Sequence, residues 1–412
     1  MKDVVDRMTQ NRAGMPVGIA AWCTAHPETL AAILSAYSGD ASPVLIEATC
    51  NQVNQEGGYT GMTPAGFRHF VEGLALSQGV AADRLVLGGD HLGPNPWRHT
   101  AADQAMDRAR GMVADYVAAG FSKIHLDASM PCGGEALREE EMAERAADLA
   151  EVAERAAEGR VLHYVIGTEV PIPGGETKVV DRLAVTRSDA VRRTLALHRS
   201  ALARRGLEGI MDRVVAVVVQ PGVDFGNTQV LAFDPGAAQD LTAAVPSLGG
   251  PVYEAHSTDY QDGRALRALV RGHFGILKVG PELTFAFRQA VFAMERLAQL
   301  AGVPSGVEAA LREVMMADPK HWRAHVEAGP GEGRMMLYGL SDRVRYYWPR
   351  PEVQAALRSL FDGLRSADLA PGLVAQVTGG MAGPVDPARL PETIMRRMVG
   401  DVVARYRLAT GE

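Results

Sequence analysis

The tightest constraint on this chain is a rhythm of eight short, almost unbroken apolar segments separated by stretches with helical patterning. The segments are "PVGIAAWC" from Pro16, "PVLIEATC" from Pro43, "RLVLGGDH" from Arg84, "SKIHLDAS" from Ser122, "LHYVIGTEV" from Leu162, "RVVAVVVQPG" from Arg213, "PVYEAH" from Pro251 and "GILKVG" from Gly275. Runs of Val, Ile and Leu without polar alternation suit strands buried on both faces, as in a parallel sheet covered by helices. Eight of them predict an α/β chain folded as a (β/α)8 TIM barrel. Between them, "EEEMAERAADLAEVAERAAEG" sets an Ala/Leu/Val face against a charged one, and "TPAGFRHF" and "DPGAAQDL" read as helix starts with Pro after a capping Thr or Asp. "KVGPELTFAFRQAVFAMERLAQLAG" completes the alternation, which then stops near Val303. Residues 1–302 are therefore expected to form the barrel and 303–412 a helical extension packed on it, with "YYWPRP" as part of that packing.

Composition narrows the partners. Among 412 residues, 42 Lys+Arg stand against 49 Asp+Glu, a net charge of -7 with no long basic run, which argues against a nucleic-acid groove or an anionic membrane. The opening "MKDVVDRMTQNRAG" has no apolar signal core and no apolar run is long enough to span a bilayer, so a soluble, cytoplasmic protein is expected. Cys23, Cys50 and Cys132 form neither an even disulfide set nor a zinc-type pair, in keeping with a reduced compartment.

Chemistry in such a barrel gathers where the strands end. Those ends carry Cys23 and Thr24, Glu47 and Asn51, Asp90 and His91, Asp127 and Ser129, Glu169, Gln220, Glu254 and His256, and Lys278. Two imidazoles and a carboxylate suit a divalent ion with an open position, which makes His91, Glu169 and His256 candidate metal ligands and Asp127 a possible fourth. Any one of them alone is as well explained as a hydrogen-bonded strand-end residue; their convergence on one rim is the signal. Asp90 is the candidate base, or an orienter of its loop backbone. The loop "EATCNQVNQEGGYTG" presents Asn51 and Gln52, amides suited to hydroxyl-rich ligands, and "EVPIPGGETK", with Glu176 and Lys178, reads as a lid or simply as turns.

At this point the chain resembles the Z-type subunits of tagatose-bisphosphate aldolase, relatives of the class II fructose- and tagatose-bisphosphate aldolases. The motifs "AWCTAHPETL", "IEATCNQVNQEGGYTGMTP", "GGDHLGPNPW", "IHLDASMPC", "EVPIPGGE", "YEAHSTDYQ", "ILKVGPELTFAFR" and "SDRVRYYW" carry the resemblance along nearly the whole length. It implies a metal-dependent barrel in which Asp90 and His91 are the acid/base and ligand pair, Glu169 the acid after strand five and His256 the strand-seven ligand. It also implies that the segment around Lys278 helps hold substrate. Two departures stand out. The aldolases' strand-six histidine is replaced by "VQPGVDFGN", leaving Gln220 or Asp224 to substitute, and their Gly-Gly-Ser-Gly phosphate loop is replaced by "EAHSTDYQ".

The expectation is an enzyme of aldol type on a ketohexose or its phosphate, either cleaving and reforming C3–C4 to invert C4 or acting as an aldolase, with a divalent ion (Zn, Mn, Co, Ni or Mg). Catalysis is assigned to Asp90, Glu169 and Asp127, and substrate contacts to Glu47, Asn51, Gln52, Ser129, Gln220, Ser257 and Lys278. The resemblance also implies an alternative, a non-catalytic subunit supporting a Y-type aldolase; a third reading is deprotonation at C3 by Asp90 with Glu169 or Asp127. A homo-oligomer is expected. No GxxxxGK[ST] loop supports a kinase.

Overall fold

In the computed structural model, residues 1–168, 183–380 and 386–412 are described. Eight parallel strands close into a barrel in chain order: Ile19–Cys23, Val44–Thr49, Leu85–Leu92, Lys123–Leu126, His163–Ile166, Val214–Val219, Val252–Ala255 and Phe274–Val279. The last pairs with the first, Trp22 lying beside Val279. Each apolar segment of the sequence supplies one of these strands, so the chain is the expected (β/α)8 barrel. A short antiparallel hairpin, Asp224–Phe225 with Val230–Leu231, follows the sixth strand.

Inside the barrel, Ile19, Leu45, Val86, Val165, Val218 and Ile276 form an apolar cluster that Val4 and Met8 join from the helix Lys2–Arg12. Asn11 of that helix donates to the carbonyls of Val17 and Val270, just ahead of strands one and eight, which fixes it across the N-terminal end. That end is therefore a packed plug, and polar groups collect at the other.

Outside, helices cover the strands. Glu139–Ala157 turns Ala143, Ala146, Leu149, Ala150 and Ala153 inward. Thr63 caps Pro64–Ser77 by accepting from the Gly66 amide, as the Thr-Pro start predicts. Asp234 instead closes a turn onto the Gly236 amide, and the helix there begins only at Gln239, because the same side chain serves an Asx turn as readily as a cap.

The C-terminal helix Leu390–Thr410 stands between Pro27–Ala36 and Gly263–Arg271, lies along Pro281–Leu300 and covers the first strand. The Thr410 carbonyl accepts from the Gly18 amide, and the Glu412 carboxylate accepts from the Ala20 amide and the Tyr37 hydroxyl. Thus a helix from the far end of the sequence coats strand one. Among the described residues, no helix is long and apolar enough to cross a membrane.

Candidate active site

The third strand, "LVLGGDHL", shows how sequence builds the site. At Gly88 a Cβ would lie 2.8 Å from the Glu47 side chain, so glycine lets that carboxylate occupy the barrel interior. At Gly93 a Cβ would sit 1.7 Å from the Asp127 carbonyl oxygen, so only glycine allows strands three and four to meet there. Between them His91 adopts a left-handed backbone, φ 49°, a conformation costly for any residue with a side chain and typical of sites where geometry is imposed by function.

Three imidazoles converge around Asp90. The ring centres of His91, His125 and His256 are 4.8–5.3 Å apart. Each ring is tied through one nitrogen to a carboxylate: His91 Nδ1 to Asp127 at 2.7 Å, His125 Nδ1 to Asp90 at 2.8 Å, and His256 Nε2 to Glu254 at 3.0 Å. A carboxylate that fixes one imidazole nitrogen as a donor leaves the lone pair on the other, the arrangement that orients metal-ligating histidines; at His125 the same Nδ1 is also met by the His91 amide at 3.2 Å. Among the described residues, the buried His125 Nε2 has no hydrogen-bond partner, which suits a ligand nitrogen. Burial, helped by the Lys278 charge, pushes His256 down to about 3, so it is neutral near pH 7. One ligand atom from each of Asp90, His91, His125 and His256 lies within 4.8 Å of the others, so this group could hold a metal ion.

Beneath them is a buried charge network. Lys123 lies 2.5 Å from Glu47 and 2.7 Å from Glu254, and Lys278 lies 2.9 Å from Glu47 and also contacts Asp90. Burial would raise the Asp90 carboxyl, but His91, Lys278 and the His125 hydrogen bond hold it well below the usual carboxylate range. Four buried carboxylates, Glu47, Asp90, Asp127 and Glu254, face two ammonium groups. Among the described residues, carboxylates therefore outnumber ammonium groups here by two, an excess that suits a cation.

The other expected residues are distributed as follows. Asp127 stands behind His91, its second oxygen accepting from the Ser129 amide and hydroxyl, so Ser129 positions Asp127. Glu47 lies below the cavity, held by the lysines. Asn51, Gln52, Ser257 and Lys278 line a cavity of about 370 Å³ with Asp90, His91 and His256. The Gln52 amide is bound within its own surroundings, accepting from Thr49 N–H and donating to the Cys23 carbonyl. Gln220 is outside the cavity lining and braces its turn through the Gly222 amide. Glu169, with Glu176 and Lys178, falls outside the described residues. The third imidazole comes from strand four rather than from a substitute on strand six. Lys123, His125 and Asp127 alternate along "KIHLDAS", the period of one strand face, and that spacing was the available signal. Also unforeseen are Asp259 and Tyr346 in the cavity wall; of "YYW", Tyr347 and Trp348 are buried packing while Tyr346 faces the pocket.

An eight-stranded barrel with a buried imidazole–carboxylate cluster at the C-terminal strand ends has the layout of an enzymatic barrel. Comparison makes this specific: the chain belongs to the D-tagatose-1,6-bisphosphate aldolase subunit GatZ/KbaZ-like family, which matches residues 3–411. It is 46% identical over 410 residues to a D-tagatose 6-phosphate 4-epimerase of Agrobacterium fabrum, covering 97% of this chain and 96% of the relative. It is 45% identical over 424 residues to the D-tagatose-1,6-bisphosphate aldolase subunit GatZ of Salmonella enteritidis, covering 99% and 98%. A crystal structure described as a probable tagatose 6 phosphate kinase from Sinorhizobium meliloti superposes with a TM-score of 0.86 at 41% identity, covering 95% of this chain and all of that one.

Proposed function

We propose that the chain is a metal-dependent 4-epimerase of a ketohexose phosphate, interconverting tagatose and fructose 6-phosphates by retro-aldol cleavage and re-addition. The observation that carries the reading is the cluster itself: three carboxylate-tethered imidazoles around a buried, anionic Asp90 in a cavity of small-molecule size. Three imidazole nitrogens, with Asp90 left to act as the base, favour Zn, Mn, Co or Ni over Mg. Bound there, the ion would act as a Lewis acid on the substrate's C2 carbonyl oxygen.

Asp90 would take the proton of the C4 hydroxyl. The C4–O electron pair becomes a carbonyl as the C3–C4 bond breaks, and the pair from that bond passes toward C2 to give the enediolate of a three-carbon fragment. Lys278, touching Asp90, is suited to steady the negative charge. Rotation of the aldehyde and attack on its other face reforms C3–C4 with inverted C4, and Asp90 returns its proton.

The similarity to GatZ subunits favours a second reading, an accessory partner of a Y-type aldolase. To separate the two, the chain is purified alone, its metal content measured, and fructose 6-phosphate and tagatose 6-phosphate followed by carbon NMR. Interconversion by the isolated metal-loaded chain is expected. No turnover alone, with activity appearing only on addition of a Y-type subunit, would overturn the epimerase reading. Obligatory deuterium entry at C3 from heavy water would instead indicate C3 deprotonation.

A further inference from the structure

The side chains lining the cavity include two cations. Lys278 is bound to Asp90 and Glu47. The other, Arg345, comes from the helical tail and has no carboxylate within ion-pair distance among the described residues. Its guanidinium donates to the carbonyls of Ser341 and Asp342 and to the Tyr346 hydroxyl, and lies 4.6 Å from the Tyr346 ring centre. Arg343 stacks on the same ring at 4.6 Å and Tyr59 packs against it at 4.7 Å. These contacts hold the guanidinium in place but do not neutralise it, and a guanidinium fixed in a cavity wall with no carboxylate partner among the described residues is built for an oxyanion.

At the strand-eight side of the same cavity the opposite holds. Barrels commonly bind phosphate on backbone amides after strands seven and eight. Here Asp259 already accepts from the amides of Gly280 (3.0 Å) and Glu282 (2.8 Å), the start of the helix Pro281–Leu300. A buried carboxyl group thus already occupies the two amides that an anion would use.

We infer that Arg345 is the phosphate ligand of this cavity and that Asp259 bars a second phosphate, so that the site selects a ketose with one phosphate, at the end remote from the carbonyl. The inference rests on the reading of the cavity as a ketohexose-phosphate site and assigns its specificity to two residues. Because Arg345 lies in the tail, the segment beyond the barrel becomes part of the binding site.

The test is equilibrium binding by calorimetry on the metal-loaded full chain, using fructose 6-phosphate, D-fructose and fructose 1,6-bisphosphate, with Arg345→Met and Arg345→Lys variants. Arg345→Met is expected to weaken fructose 6-phosphate about 10- to 100-fold, the loss of charge-assisted hydrogen bonds, while D-fructose is unchanged and Arg345→Lys falls between. A thermal melt identifies a variant that has lost its fold, and the lysine variant then carries the comparison. Fructose 1,6-bisphosphate should bind the native chain no better than the monophosphate. Equal loss for fructose and its phosphate, no loss for either, or tighter binding of the bisphosphate would overturn the inference. Selective loss in the absence of any turnover would uphold it while removing the epimerase reading, and turnover with an unselective Arg345→Met variant would do the reverse.

Discussion

Replacing Lys123 with methionine is the sharpest test of the buried charge network. The ammonium is wholly inaccessible and lies within 2.7 Å of both Glu47 and Glu254, so its removal strands carboxylate charge where no water reaches. Breaking a buried ion pair from one side costs about 3–5 kcal/mol. Lys278 remains 2.9 Å from Glu47 but 3.8 Å from Glu254, so the stranded charge is chiefly that of Glu254. For a chain of 412 residues the unfolding entropy is roughly 0.9 kcal/mol per degree, so the melting temperature should fall by about 3–6 °C. Calorimetry reads this directly. The double variant Lys123→Met/Glu254→Gln leaves Glu47 paired with Lys278 and removes the stranded carboxylate, and should recover more than half of the loss. A single variant that melts within about 1 °C of the native chain, or a double variant that melts lower than the single, would refute the account.

Three further outcomes are expected. His125→Ala should abolish stoichiometric binding of a divalent ion, measured by elemental analysis after dialysis, while the fold survives by circular dichroism; full metal content would remove His125 from the ligand set. Gly93→Ala forces a methyl into the Asp127 carbonyl and should cost several kcal/mol or prevent soluble expression, whereas Gly134→Ala, with open space around it, should cost only the backbone strain of its positive φ. Burial raises the Asp259 carboxyl to about 7, far above its unfolded value near 3.9. The native state therefore holds the extra proton between these values, and stability from this group is present below about pH 4 and lost as pH rises to 7. Asp259→Asn, which keeps an oxygen for the two amides, should gain on the native chain between pH 5 and pH 8, by up to about 3 kcal/mol; equal pH dependence of the two melts would exclude the raised carboxyl.

Much of this architecture was legible because barrel strands and rim residues leave local patterns. Near-continuous Val/Ile/Leu runs marked all eight strands, and the polar residue after each marked the rim. What was not legible depends on which face a side chain takes. His125 sits inside an apolar-looking run and shows itself only through alternation with Lys123 and Asp127. Glu47 and Ser129 stand at strand ends like the cavity residues, yet one is drawn down to the lysines and the other turns to Asp127, distinctions set by contacts across strands. Arg345 is harder still: nothing near it in sequence ties a tail arginine to a cavity whose first strand lies more than three hundred residues earlier, and "RVRYYW" reads as packing because two of its three aromatics are packing.

The placement of the last helix has a consequence for biosynthesis. Strand one emerges early from the ribosome, but the partners that coat it, Tyr406, Thr410 and Glu412, are translated nearly four hundred residues later. Until then Trp22 and its neighbours lack their cover, and eight assembled strands would still present an open apolar flank. Strand one therefore completes its packing only after the last helix has been made, and the nascent chain carries an uncovered apolar flank through most of this length, the kind of surface that invites aggregation.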